Sequence, residues 1–119
     1  MMLRRLHWTA AIAALLLGGV HVAYTARLHH DLTLDALWFA GTGLALIAIA
    51  LLNITALRAE GRGSPGLVLA ANLVTTGFFV LIWTVHDAPQ VMAGLVLFVV
   101  LTGCASRSLW LARDRAHQS

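Results

Sequence analysis

Residues 34–57 read LDALWFAGTGLALIAIALLNITAL, a run with one carboxylate at its start and one amide, Asn53, near its end. A helix rises 1.5 Å per residue, so about 20 apolar residues cross the roughly 30 Å hydrocarbon layer of a bilayer, and this run is long enough to do so. It lacks the period-two alternation of a barrel strand, and backbone groups in lipid must pair within their own segment, which leaves a helix. Working outward, three more runs have the same character: HWTAAIAALLLGGVHVAYTA at about 7–26, PGLVLAANLVTTGFFVLIWTV at about 65–85, and a fourth at about 90–112 after the HDAP break. Pro65 stands behind the polar turn RAEGRGS, as a helix start prefers. The expectation is an all-α chain, a single domain over residues 1–119, forming an integral membrane four-helix bundle with up-down-up-down connectivity.

Composition supports this and closes several function classes. Of the 119 residues 60% are hydrophobic and 11% charged, with a mean hydropathy of +0.83, which is too little polar surface to coat a soluble globule of this size. The net charge of +3 comes from eight arginines and no lysine against five carboxylates. Those arginines gather at segment ends instead of along one face, which reads as membrane orientation and argues against a nucleic-acid partner. Absence of lysine excludes Schiff-base chemistry and a Walker-type phosphate lysine. The single Cys104 lies inside an apolar run, so an intramolecular disulfide, a CxxC redox pair and an all-Cys zinc site are excluded as well. No nucleophile-and-base set or carboxylate pair at controlled spacing is recognisable, and the sequence does not read as an enzyme.

Arg4 and Arg5 precede the first run, Arg58 and Arg62 lie in the middle connection, and Arg113 and Arg115 follow the fourth, whereas the other two connections hold only Arg27. The positive-inside bias predicts a bacterial cytoplasmic (inner) membrane protein with both termini in the cytoplasm. Trp8 and Trp110 then fall near the inner interface, and Tyr24, Trp38 and Trp83 near the outer one. The first run also has the shape of a signal peptide, but Tyr24 fits poorly at the minus-three position for cleavage after Ala26, so a retained span is expected.

Lipid gives helices no hydrophobic reason to associate, so small and polar side chains are expected to mark the packing faces. Steps of three and four pick out Ala11, Ala14, Gly18, His21 and Thr25 in the first span, and Asp35, Phe39, Thr42, Leu46, Ile49 and Asn53 in the second. They pick out Asn72, Thr76, Phe79, Trp83 and His86 in the third, and Ala93, Val96, Val100, Gly103 and Arg107 in the fourth. The amides of Asn53 and Asn72 should lie at similar depth and suit a direct pair. Arg107 stands close enough to the inner end of its span to snorkel to the headgroups. Gly41 and Gly43 in WFAGTGLA suit close helix packing better than nucleotide binding, since no strand precedes them.

Histidine is the chemical irregularity, with six in the chain. The topology puts His29, His30, Asp31 and Asp35 in one outer connection and His86 and Asp87 in the other. Imidazole and carboxylate together suit a transition metal, so His29, His30, His86 and Asp87 form a candidate metal group, although no HExxH, HxxxH or CxxC spacing supports it. His21 needs a partner within the slab. Its readings are a neutral ring bonded to Thr25, Thr42 or a backbone carbonyl, a proton pathway, a quinone headgroup donor near Trp83, or an axial haem ligand opposed by His86.

The stretches GGVHVAYT in the first span and ALWFAGTGLALIAIALLNI in the second resemble uncharacterised small bacterial four-span membrane proteins, a resemblance that implies the fold and no activity. Size and span count are also similar to the small multidrug resistance transporters. That family carries a membrane-embedded glutamate in its first helix, where this chain has His21 and no acid, which argues against proton-coupled cation export. The reading that requires least is a non-enzymatic module embedded in the lipid bilayer, binding a small ligand, a lipid, a partner membrane protein or a second copy of itself as a homodimer. Transition-metal or proton handling through the outward His/Asp cluster, and a haem- or quinone-binding redox protein, are the alternatives.

Overall fold

The computed structural model describes residues 1–28, 31, 33–59 and 64–118. These form four helices and no strand among the described residues: α1 Met2–Leu28, α2 Leu34–Arg58, α3 Pro65–Val85 and α4 Pro89–His117. All four are long and apolar enough to cross a membrane. The Thr33 hydroxyl caps α2 by accepting from the Ala36 N–H at 3.2 Å, and Ser64 caps α3 by accepting from Leu67 N–H at 3.4 Å, with Pro65 in the first turn. α3 ends at the His86 cap and α4 begins at Pro89, which has no N–H to lose there.

Two helices run past the apolar segments. α1 starts at Met2 instead of about residue 7, and α4 continues to His117 instead of stopping near 112. Hydropathy delimits the slab a helix can cross, whereas the backbone ladder continues through Arg4, Arg5, Arg113 and Arg115, none of which breaks a helix. At 1.5 Å per residue α4 is about 44 Å long, well beyond the hydrocarbon thickness. The bundle measures 58 × 27 × 23 Å.

α1 packs mainly on α2 and α3 on α4; the two hairpins join chiefly through α1 and α4, and α2 and α3 touch much less than these. The first hairpin closes at Gly18 and Gly43. A Cβ on Gly18 would lie 2.8 Å from the Gly43 carbonyl oxygen, and one on Gly43 would lie 2.7 Å from Val22 Cγ2. Only hydrogen fits there, so the helices approach backbone to backbone. Gly41 faces open space and takes no part in that contact, contrary to the expectation from WFAGTGLA. The second hairpin closes where the Phe79 ring lies over Gly94 and stacks on Phe98 with centroids 5.7 Å apart.

The rotation of α4 corrects one expected face. Its buried residues are Val91, Gly94, Phe98, Leu101, Cys104 and Ala105, whereas Ala93, Val96, Gly103 and Arg107 are exposed and Val100 is half-buried. A Cβ on Gly103 would touch nothing within 4 Å. The small residue that matters is the one facing the Phe79 ring. In α3 the inward line runs Val68, Asn72, Thr75 and Phe79, while His86 and Trp83 lie on the surface. In α2 it runs Ala36, Gly43, Leu46, Ala50, Asn53 and Ile54; Asp35 is exposed, and Phe39, Thr42 and Ile49 are half-buried. Large apolar side chains such as Trp38, Val74, Leu81 and Val85 point outward, as a lipid-facing surface allows.

Candidate functional site

Asn53 and Asn72 are both 0% exposed and face each other from α2 and α3. Asn53 Nδ2 donates to the Ile49 carbonyl at 2.9 Å and to Asn72 Oδ1 at 2.9 Å, and Asn72 Nδ2 donates back to Asn53 Oδ1 at 3.0 Å. A carbonyl only accepts, so the bond to Ile49 fixes which end of the Asn53 amide is the NH₂. Its oxygen then also accepts from His7 Nε2 of α1 at 2.9 Å. An amide oxygen cannot donate, which places the ring proton of His7 on Nε2. Three helices are thus tied together by one polar network.

His7 is 5% exposed and belongs to no candidate set read from the sequence. The signal that finds it is the stripe itself: one further four-residue step back from Ala11 reaches His7 on the same face of α1. Among the described residues, no buried side-chain nitrogen or oxygen lacks a partner. Nε2 carries the bond to Asn53, and His7 also lines a cavity.

That cavity, about 510 Å³, opens at the arginine-rich end of the bundle, and all four helices contribute to it. Leu3, Leu57, Val68 and Leu111 give it apolar walls, Ala105 and Ala112 widen it by being small, and Arg4 and Arg115 add two guanidiniums. From Ala105 to Arg115 the α4 wall rises about 15 Å. The overrun of α1 and α4 beyond the apolar segments builds this vestibule. Its volume lies within the roughly 300–1,000 Å³ of ordinary small-molecule sites, which are likewise apolar with a few placed polar groups.

The residues singled out from the sequence lie elsewhere, apart from the two asparagines. His21 is half-buried about 21 Å further along α1 than His7, and its ring stacks on Phe39 at 3.8 Å between centroids with 13° between planes. The Thr25 hydroxyl donates to the His21 backbone carbonyl at 2.9 Å, and the Thr42 hydroxyl donates to the Trp38 carbonyl at 3.0 Å, so both hydroxyl protons go to the backbone and not to the imidazole. Neither His21 nor Trp83 lines the cavity described above. His29 and His30 lie outside the described residues; His86 and Asp87 are exposed, and among the described residues no three His, Cys, Asp or Glu side chains gather as a metal-holding group. Thr76 donates to the Asn72 carbonyl at 2.8 Å or shares a proton with Thr102 of α4 at 3.1 Å. Arg107 is exposed, with its guanidinium 5.0 Å from the centroid of the Trp110 ring.

The architecture defined by these helices is a four-helix bundle suited to multiple membrane crossings. The chain matches no protein-family model, no curated protein and no solved structure.

Proposed function

We propose that the protein is a multi-pass module of the bacterial inner membrane, both termini cytoplasmic, that binds a small ligand or lipid without transforming it. The observation that carries this reading is the 510 Å³ cavity at the arginine-rich end, apolar along its walls and floored by the buried imidazole of His7. Arg4, Arg58, Arg113 and Arg115 belong to that end, and arginine-rich flanks stay on the cytoplasmic side. The vestibule then opens at the level of the inner-leaflet headgroups, where a ligand reaches it from lipid or from water. Ser108, which shares the lining with His7, donates its hydroxyl to the Cys104 carbonyl at 3.0 Å, and His7 Nε2 is committed to Asn53, so among the described residues the two are not paired as nucleophile and base.

Native mass spectrometry tests the reading. Gently extracted wild-type protein should retain a non-protein mass, and Ala112→Phe, which fills part of the cavity from a half-buried wall position, should lose it while melting within about 2 °C of wild type. Identical spectra with no bound mass in either, under conditions that keep other lipid complexes intact, would remove the binding function.

A further inference from the structure

We infer that Arg107 and Trp110 of α4 form a surface site for the phosphate of an anionic phospholipid of the inner leaflet. The site rests on the membrane reading above and lies apart from the cavity, whose lining includes neither residue. Both side chains are exposed, one turn apart, and the Arg107 guanidinium stands over the indole with 5.0 Å to the ring centroid. Their Cα atoms lie about 7–8 Å and about 3 Å from the end of the apolar run near residue 112, so a side chain of arginine's length reaches the headgroup phosphates. A second guanidinium-on-indole pair, Arg58 over Trp8 at 6.0 Å, stands at the corresponding ends of α2 and α1 and belongs to the same interfacial level.

The indole holds the charge in place without using up its donors. Among the described residues that ring is the only partner of the guanidinium, and a π face attracts the charge while the N–H groups still require oxygen acceptors. A charge at the edge of hydrocarbon is costly until such acceptors meet it. Water meets the donors singly; a phosphate meets two at once in the planar fork and brings the opposite charge. The same side of α4 offers a place for the chain below that phosphate. One turn deeper, Gly103 is exposed and a Cβ there would meet nothing within 4 Å, with Val99 and Val96 exposed beyond it. An acyl chain lies against the helix backbone in that notch. Charge then selects the head. A zwitterionic lipid carries an ammonium that competes with Arg107 for its own phosphate, whereas a glycerol head carries none. Asp114, the one carboxylate of α4, is exposed about two turns further out and is flanked by Arg113 and Arg115, so the local balance stays positive.

The full chain in nanodiscs of equal phosphatidylglycerol and phosphatidylcholine is released for native mass spectrometry, and the retained lipids are identified. Wild type should keep phosphatidylglycerol in preference, and Arg107→Gln should lower that preference about fivefold, which corresponds to about 1 kcal/mol for one basic side chain at a lipid surface. Arg107→Lys, which keeps the charge without the fork, should fall between the two, and Trp110→Leu should weaken the preference in the same direction. Arg113→Gln, an equal loss of charge at the same end, should cost less than about twofold. Equal losses in Arg107→Gln and Arg113→Gln would overturn the site in favour of a general attraction to the arginine-rich end. An unchanged preference in Arg107→Gln would overturn it outright, and a preference lost only in Ala112→Phe would move the lipid to the cavity. Displacement of the lipid by millimolar inorganic phosphate would make the ligand a free anion and overturn the lipid assignment. Failure of the chain to enter nanodiscs would remove the membrane reading and this site with it. Arg107 and Trp110 are surface side chains, so their variants leave the packed core intact.

Discussion

Asn53 and Asn72 exchange two hydrogen bonds across the α2–α3 boundary, at 2.9 and 3.0 Å, where these two helices otherwise touch little. Asn53 is the hub of the pair, because it also donates to the Ile49 carbonyl and accepts from His7. Removing the two partners should therefore have unequal costs. Asn72→Leu deletes the exchanged bonds but leaves Asn53 with Ile49 and His7, at about 1–2 kcal/mol. Asn53→Leu leaves both the Asn72 amide and His7 Nε2 without partners, at about 2–4 kcal/mol. Denaturation in mixed micelles should rank Asn53→Leu as the more damaging, and equal or reversed losses would show that Asn53 is no hub.

Neighbouring glycines on α1 should answer differently to the same methyl group. A Cβ on Gly18 would sit 2.8 Å from the Gly43 carbonyl oxygen and 3.0 Å from the Ile47 backbone nitrogen, neither of which can yield without moving α2. Gly18→Ala should cost about 1–3 kcal/mol. A Cβ on Gly19 meets nothing within 4 Å, and Gly19→Ala should stay within about 0.5 kcal/mol of wild type. Melting temperatures of the two variants in one detergent settle whether the backbones of α1 and α2 touch there.

The four helices were legible because each crossing needs a long apolar run, and Pro65 and the HDAP break mark where such runs restart. The faces were less so. A helix that is apolar all round carries no amphipathic signal, so the reading depended on small and polar residues, and in α4 Gly103 and Arg107 drew it to the lipid side. Gly94 was the informative glycine, but only the position of the Phe79 ring on another helix makes it so. The amide pair was legible from the matched depths of Asn53 and Asn72. His7 was not, because it lies at the edge of the apolar run beside Arg4 and Arg5, where a histidine reads as an interfacial residue. The cavity itself depends on helix length beyond the slab, which hydropathy does not report.

Cys104 provides an internal probe of bundle closure. It is 2% exposed on the inward face of α4, beside Ala105 of the cavity floor. N-ethylmaleimide should label it slowly in the folded protein and fully after denaturation, because a covered thiol is out of reach of the reagent. Asn53→Leu should shorten the labelling time of the folded state, as loss of the hub lets the hairpins separate more often. Rapid labelling of native wild type would mean that α4 does not present this face to α1 and α3.

The rotation of α4 is tested by a pair of single methyl additions and a rescue. Gly94 lies beneath the Phe79 ring, which is itself held by stacking on Phe98, so the ring cannot swing away without breaking that contact. Gly94→Ala should therefore lose about 1–3 kcal/mol by overpacking. Gly103 faces open space, and Gly103→Ala should be close to neutral. Phe79→Leu costs stability on its own through the lost ring contacts, yet combined with Gly94→Ala it should restore part of the loss, because the smaller side chain makes room for the added methyl. The double-mutant cycle should then show a favourable coupling of about 1 kcal/mol between the two positions, as contacting residues do. A helix turned to bring Gly103 inward would give the opposite pattern, with Gly103→Ala harmful, Gly94→Ala harmless and no coupling to Phe79.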